Sequence, residues 1–180
     1  MRKLNVEEMG RLSAEEFREA EKMPLVVVLD NVRSLYNVGS VFRTADAYRV
    51  ERVVLCGITA TPPDAEIHKT ALGAEFTVDW VHYKDTTEAV RCLKAEGYHV
   101  YAVEQTEGSV MLGDFHAEEG GRYAVILGNE VKGVRQEAID LCEGCIELPQ
   151  YGTKHSLNVS VTAGIVMWEL SKQLLPHSLR

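Results

Sequence analysis

The chain has 180 residues, 46% of them hydrophobic, which suits one domain with a sizeable core. No stretch approaches the roughly 18 to 20 uninterrupted apolar residues of a membrane span. The opening MRKLNVEEMGRLSAEEF is too acidic and too broken for a signal peptide, so a cytoplasmic protein is expected. The formal net charge of -8 argues against bulk attraction to nucleic acid, whose binding is driven largely by neutralising phosphates.

In chain order, Ser13-Ala-Glu-Glu16 has the form of a capping box and predicts a short acidic helix, so residues 1–23 read as an N-terminal helical extension. From Pro24 the pattern changes to Leu25-Val-Val-Val-Leu29, a continuous run of the kind found in strands buried on both faces. Similar short runs recur at 52–56, 77–81, 98–103, 123–127 and 145–148. Helical spacing lies between several of them, at 38–48, 86–96 and 134–141. Alternating strand and helix predicts an α/β domain over 24–180, an open and mostly parallel sheet covered by helices. Its working residues are expected in loops beyond the carboxyl ends of strands. The last element, from about Leu157 to Leu175, is apolar around most of its circumference. Such a helix is buried on more than one side, either against a second subunit or within its own core.

Cysteine usage points to little chemistry. Cys142-Glu-Gly-Cys145 is one CxxC, but neither a second CxxC nor an HxxxH accompanies it, so reduced thiols are expected and no metal.

Three segments could carry chemistry. The first, Asp30 to Ala45, follows the first strand and places Asn37 and Gly39 at a strand-to-helix turn, with Arg43 one turn into the helix. An amide and a guanidinium would then share one crevice, although two turn formers and a solvated arginine would leave the same pattern. The second, Leu127-Gly-Asn-Glu130-Val-Lys-Gly133, nearly imitates a phosphate-binding loop. Val134-Arg135 stands where Lys and Ser or Thr are required, which disfavours a nucleotide triphosphatase, and no GxGxxG suggests a dinucleotide enzyme. The third, Ile146 to Ser160, has Pro149 and Gly152 in an irregular loop and Ser156 where a helix N-cap is expected. The basic residues Arg33, Arg43, Lys69, Lys132, Arg135 and Lys154 lie in or near these segments, where a local patch can act within an acidic whole.

In their order and spacing the segments resemble the SpoU (TrmH) family of RNA ribose methyltransferases, of the SPOUT class. That family's motifs read N-x-G-x-x-x-R-x-A, then L-G-x-E-x-x-G, then a proline-glycine loop ending in S-L-N. Here they are Asn37 to Ala45, Leu127 to Gly133, and Pro149 to Asn158. The resemblance implies a C-terminal trefoil knot, which periodicity cannot show. It also implies S-adenosyl-L-methionine held by loops starting at Glu104, Gly128 and Leu148, with Ser156 and Leu157 closing the site. Arg43 is the implied catalytic residue, supported by Asn37, Glu130, Ser156 and Asn158. A guanidinium stays protonated, so hydrogen-bond donation to a developing alkoxide is better founded than general-base action. The further implications are tRNA or rRNA as substrate and a homodimer through the last helix. The contrasting expectation, from the acidic balance, is a non-catalytic RNA-binding protein that keeps the fold.

Overall fold

The computed structural model describes residues 1–5 and 7–175. Residues 176–180, the end of the expected 24–180 domain, and residue 6 of the expected extension lie outside the described residues. In chain order the elements are α1 (Ala14–Glu19), β1 (Met23–Asp30), α2 (Leu35–Ala47), β2 (Val50–Cys56), α3 (Ala65–Ala71), β3 (Asp79–Tyr83), α4 (Thr86–Ala95), β4 (His99–Val103), β5 (Val110–Met111), β6 (Tyr123–Leu127), α5 (Gln136–Ile139), β7 (Gly144–Glu147) and α6 (Val159–Leu174).

Among the described residues the strands form one sheet of order β3-β2-β1-β6-β4-β7-β5, every pairing parallel. The apolar run of β1 explains its central place. Leu25, Val27 and Leu29 enter the core on one face, Val26 and Val28 the core on the other, and all five are fully buried. Each such side chain contributes about 1.5–3 kcal/mol over exposure, so the register of β1 is strongly specified. The first core takes in α2 and α6 with Phe17 of α1, and the second takes in α4 and Ala138 of α5.

Helix starts follow side-chain chemistry. The Ser13–Glu16 capping box forms as expected. Asp64 caps α3 by accepting from the Glu66 and Ile67 amides at 2.7 and 3.2 Å, and Asp85 caps α4 through the Thr87 amide at 2.8 Å.

Three expectations need correction. Asn37 and Gly39 lie inside α2, not in the turn before it, because Ser34 caps the helix earlier. A Cβ on Gly39 would meet the Ile67 carbonyl and the Thr70 hydroxyl, each at 2.2 Å, so this glycine lets α3 pack closely against α2. Ser156 is not the cap of the last helix. Asn158 is, accepting from the Ser160 and Val161 amides at 2.9 and 3.4 Å. Finally, the alternative that α6 is sunk wholly within its own core does not hold: Ala163, Val166, Met167 and Leu170 enter the core, while Val161, Ile165 and Trp168 are 51%, 40% and 54% exposed within the chain. None of the described helices is long and apolar enough to cross a membrane.

Candidate functional site

The carboxyl ends of β4, β6 and β7 open into one cleft of about 660 Å³, floored by Val103, Leu127 and Ile146. That volume suits a drug-sized ligand, and the position is the usual one for ligands in open parallel sheets. The loops that follow the three strands make its walls. Glu104, Gly128, Leu148, Ser156 and Leu157, far apart in sequence, all line it.

The loop after β6 is held by its own backbone. Asn129 and Gly133 exchange two hydrogen bonds, of 3.0 and 2.9 Å. The Asn129 side chain accepts from the Val131 and Lys132 amides at 3.0 and 3.1 Å and donates to the Asn31 carbonyl at 2.7 Å. Glycine is required at both ends. A Cβ on Gly128 would lie 2.0 Å from the Gly133 carbonyl carbon, and Gly133 has φ +68°. The spacing G-x-x-x-x-G that resembles a phosphate loop is therefore the spacing of a closed turn.

From this turn Glu130 reaches the start of α2. Its carboxylate accepts from the Arg33 and Ser34 amides at 3.0 Å each and from Asn37 Nδ2 at 3.1 Å. Partial burial raises its pKa, but these hydrogen bonds outweigh burial and hold it below its ordinary value. A negative charge at this helix end also opposes the helix dipole favourably. Asn37, itself buried, accepts at Oδ1 from Asn158 Nδ2 at 3.2 Å. The three motifs thus meet in one chain of polar contacts, Glu130 to Asn37 to Asn158, and on to the capped amides of α6. Because a carboxylate can only accept, each amide in the chain has one allowed orientation.

The third loop is mostly exposed from Tyr151 to Leu157 and is tied across the cleft by Gln105, whose Nε2 donates to the His155 carbonyl at 3.1 Å. Gln105, Asn129 and Asp30 were not singled out for the site from the sequence, and Arg135 was named only as part of a local basic patch. An asparagine between Gly128 and Glu130 was the one local signal, since asparagine readily bonds nearby amides.

Arg43 stands apart. It is exposed on α2, does not line the cleft, and makes no hydrogen bond or ion pair with the described residues. Asn37 and Glu130, expected to orient it or the ribose, bond to one another. Among the described residues no cluster of ligands could hold a metal ion, and the cysteines are free thiols. Burial pushes the Cys142 thiol up to about 12.

Sheet order, cleft position and glycine-closed loop define an open parallel α/β protein with a ligand cleft at the strand ends, made without a glycine-rich dinucleotide turn. The chain belongs to the SpoU rRNA Methylase family, whose sequence model matches residues 24–168. It is 32% identical over 152 residues to the 23S rRNA (guanosine-2'-O-)-methyltransferase RlmB of Vibrio vulnificus, covering 84% of this chain and 60% of that protein. It is 33% identical over 173 residues to the tRNA (guanosine(18)-2'-O)-methyltransferase of Thermus thermophilus, covering 96% and 87%. The AdoMet-bound rRNA methyltransferase of Sinorhizobium meliloti superposes with a TM-score of 0.80 at 28% identity, covering 89% of this chain and 61% of that one. The chain therefore spans about 60% of the length of the Vibrio and Sinorhizobium proteins.

Proposed function

We propose that residues 24–180 are a catalytic domain that methylates a ribose 2'-hydroxyl of tRNA or rRNA with S-adenosyl-L-methionine, preceded by a helical extension at 1–23. The observation that carries this reading is the Glu130–Asn37–Asn158 chain, which joins all three family motifs at the cleft. The relatives' names supply the chemistry: ribose methylation of rRNA and of tRNA.

The cleft's residues fit the donor. Val103, Leu127, Ile146 and Leu148 offer apolar surface for a purine, Glu130 carries charge opposite to a sulfonium and an ammonium, and the loop backbones offer polar groups. When bound, the donor supplies an electrophilic methyl carbon on a positive sulfur. What the chain must add is alignment of the sugar hydroxyl, exclusion of water and stabilisation of the negative charge that forms on oxygen. We assign the last task to Arg43, as hydrogen-bond donor to the alkoxide and the adjacent phosphate. Asn37, Glu130 and Asn158 hold the frame, and Ser156 contacts substrate from the exposed loop.

The isolated position of Arg43 is accounted for by a homodimer. The exposed Val161, Ile165 and Trp168 form a stripe on α6, which packs on α2, and Tyr48 at the end of α2 lies 6.2 Å from Trp168, ring to ring. Pairing through this stripe would let Arg43 serve a cleft completed by two subunits. The C-terminal segment is read as a trefoil knot, supported by the position of β7 between β4 and β5, which are consecutive in the chain. Free thiols suit action in the reducing cytoplasm.

The deciding experiment is transfer of labelled methyl from S-adenosylmethionine to tRNA and rRNA, with the product mapped to ribose. RNA binding without transfer would favour the non-catalytic reading, and ribose mapping in cells with and without the protein would identify the nucleotide.

A further inference from the structure

The loop that closes on Gly128 and Gly133 lies after β6, and β6 lies between β1 and β4. Each neighbouring strand ends in a carboxylate: Asp30 is the last residue of β1, and Glu104 directly follows β4. Two consecutive amides at the far end of the loop are divided between them. The Val134 amide donates to Glu104 Oε2 at 3.0 Å, and the Arg135 amide donates to Asp30 Oδ2 at 2.9 Å.

We propose that Asp30 and Glu104 form a two-carboxylate clamp that fixes the 128–135 loop in its ligand-receiving shape. Glu104 is then a positioning residue whose side chain serves the loop, not a ligand of the donor. The inference rests on the reading of the cleft as the donor site.

The remaining contacts of both groups fit this role. Glu104 Oε1 accepts from the Gln105 amide at 3.0 Å, so each oxygen is committed to a backbone N–H. A Cβ on Gly133 would lie 2.1 Å from Glu104 Oε2, so the carboxylate fills the space a side chain there would take. Asp30 is 1% exposed, a position that is costly for a carboxylate unless paired and hydrogen-bonded. It accepts from Thr86 Oγ1 at 2.5 Å and Asn31 Nδ2 at 2.8 Å, and Arg135 Nε stands 3.4 Å from it. The Arg135 guanidinium continues to Asp85 Oδ2 at 3.1 Å. Arg135 thus fastens the loop twice, by its amide and by its side chain.

The test is Glu104→Gln in the full chain. Glutamine keeps the size but offers one acceptor oxygen to two amides, leaving one donor facing a donor. Hydrogen exchange on the ligand-free protein should show the Val134 amide opening at least about tenfold faster, with the strand amides of β1 and β6 unchanged. Calorimetry should then show S-adenosylmethionine and the neutral methylthioadenosine weakened by the same factor, about tenfold. Weakening confined to the charged ligand would mean that Glu104 contacts the donor's cations, and would overturn the clamp. Unchanged Val134 exchange would overturn it as well. A wild-type protein that binds neither ligand would refute the donor-site reading, while the exchange comparison would still decide the clamp. Glu104→Asp, which keeps the charge but shortens the reach to both amides by one methylene, should reproduce both effects should Glu104→Gln not fold.

Discussion

Asn158 donates from its side-chain amide to Oδ1 of Asn37 at 3.2 Å, joining residues 121 positions apart. Asn158 also starts α6 with its own oxygen, so one side chain both begins the last helix and fastens it to α2. Neither half of the site can shift without disturbing the other.

Asn37→Asp tests this coupling. An oxygen would replace the donor that faces Glu130, setting two carboxylates against each other in a partly buried place. We expect a loss of about 2 kcal/mol in unfolding free energy and loss of nearly all methyl transfer. Denaturant titration and the transfer assay check it, and wild-type behaviour in both would remove the coupling.

Glu130 predicts a dependence on acidity. Its folded pKa is lower than the ordinary 4.5, so its stabilising effect is complete above that value and is lost as pH falls through the lower folded one. Urea midpoints of wild type and Glu130→Gln should differ most at about pH 6 and converge as the solution is acidified below about pH 4. A gap that stays constant down to acid pH would contradict the assignment.

Arg43→Lys separates frame from chemistry. The side chain is exposed and makes no hydrogen bond or ion pair with the described residues, so folding and donor affinity should be unchanged. Turnover should fall by about 10²–10³, because an ammonium cannot reproduce the planar fork of donors. Calorimetry beside single-turnover rates would show the split. Equal loss of affinity would place Arg43 in the donor's binding site instead.

Trp168→Glu addresses assembly. A charge in the exposed Val161–Ile165–Trp168 stripe should leave the monomer folded, since the buried side of α6 is untouched. Sedimentation should show a dimer for wild type and a monomer for the variant, with transfer activity lost together with the dimer. A wild-type monomer that is fully active would reject the two-subunit site.

How far the sequence revealed this molecule depended on burial. The β1 and β6 runs, buried on both faces, were found within two residues because continuous apolarity leaves little choice of register. The edge strand β3 was expected at 77–81 and lies at Asp79–Tyr83, since three of its five residues face solvent and supply no apolar rhythm. α3 was missed although Asp64 caps it and Ile67 and Ala71 are spaced as a buried face, because seven residues give too few repeats. β5, two residues long, had no periodicity at all. At the site, motif order exposed which residues matter. It could not expose how they pair: Glu130 was expected to orient Arg43 or the ribose, and its bond to Asn37 is a contact that exists only after strands distant in sequence have been laid side by side.

The place of β7 has a consequence for how the chain reaches this state. β4 and β5 are separated by only a few residues, yet the sheet sets β7, more than thirty residues later, between them. A newly made chain cannot simply zip those two strands together; the gap must be kept open until residues 144–147 arrive. Maturation should therefore be slow, as contacts between distant segments are. A ribosome-bound fragment ending before residue 144 should lack a formed cleft, however complete its first three strands.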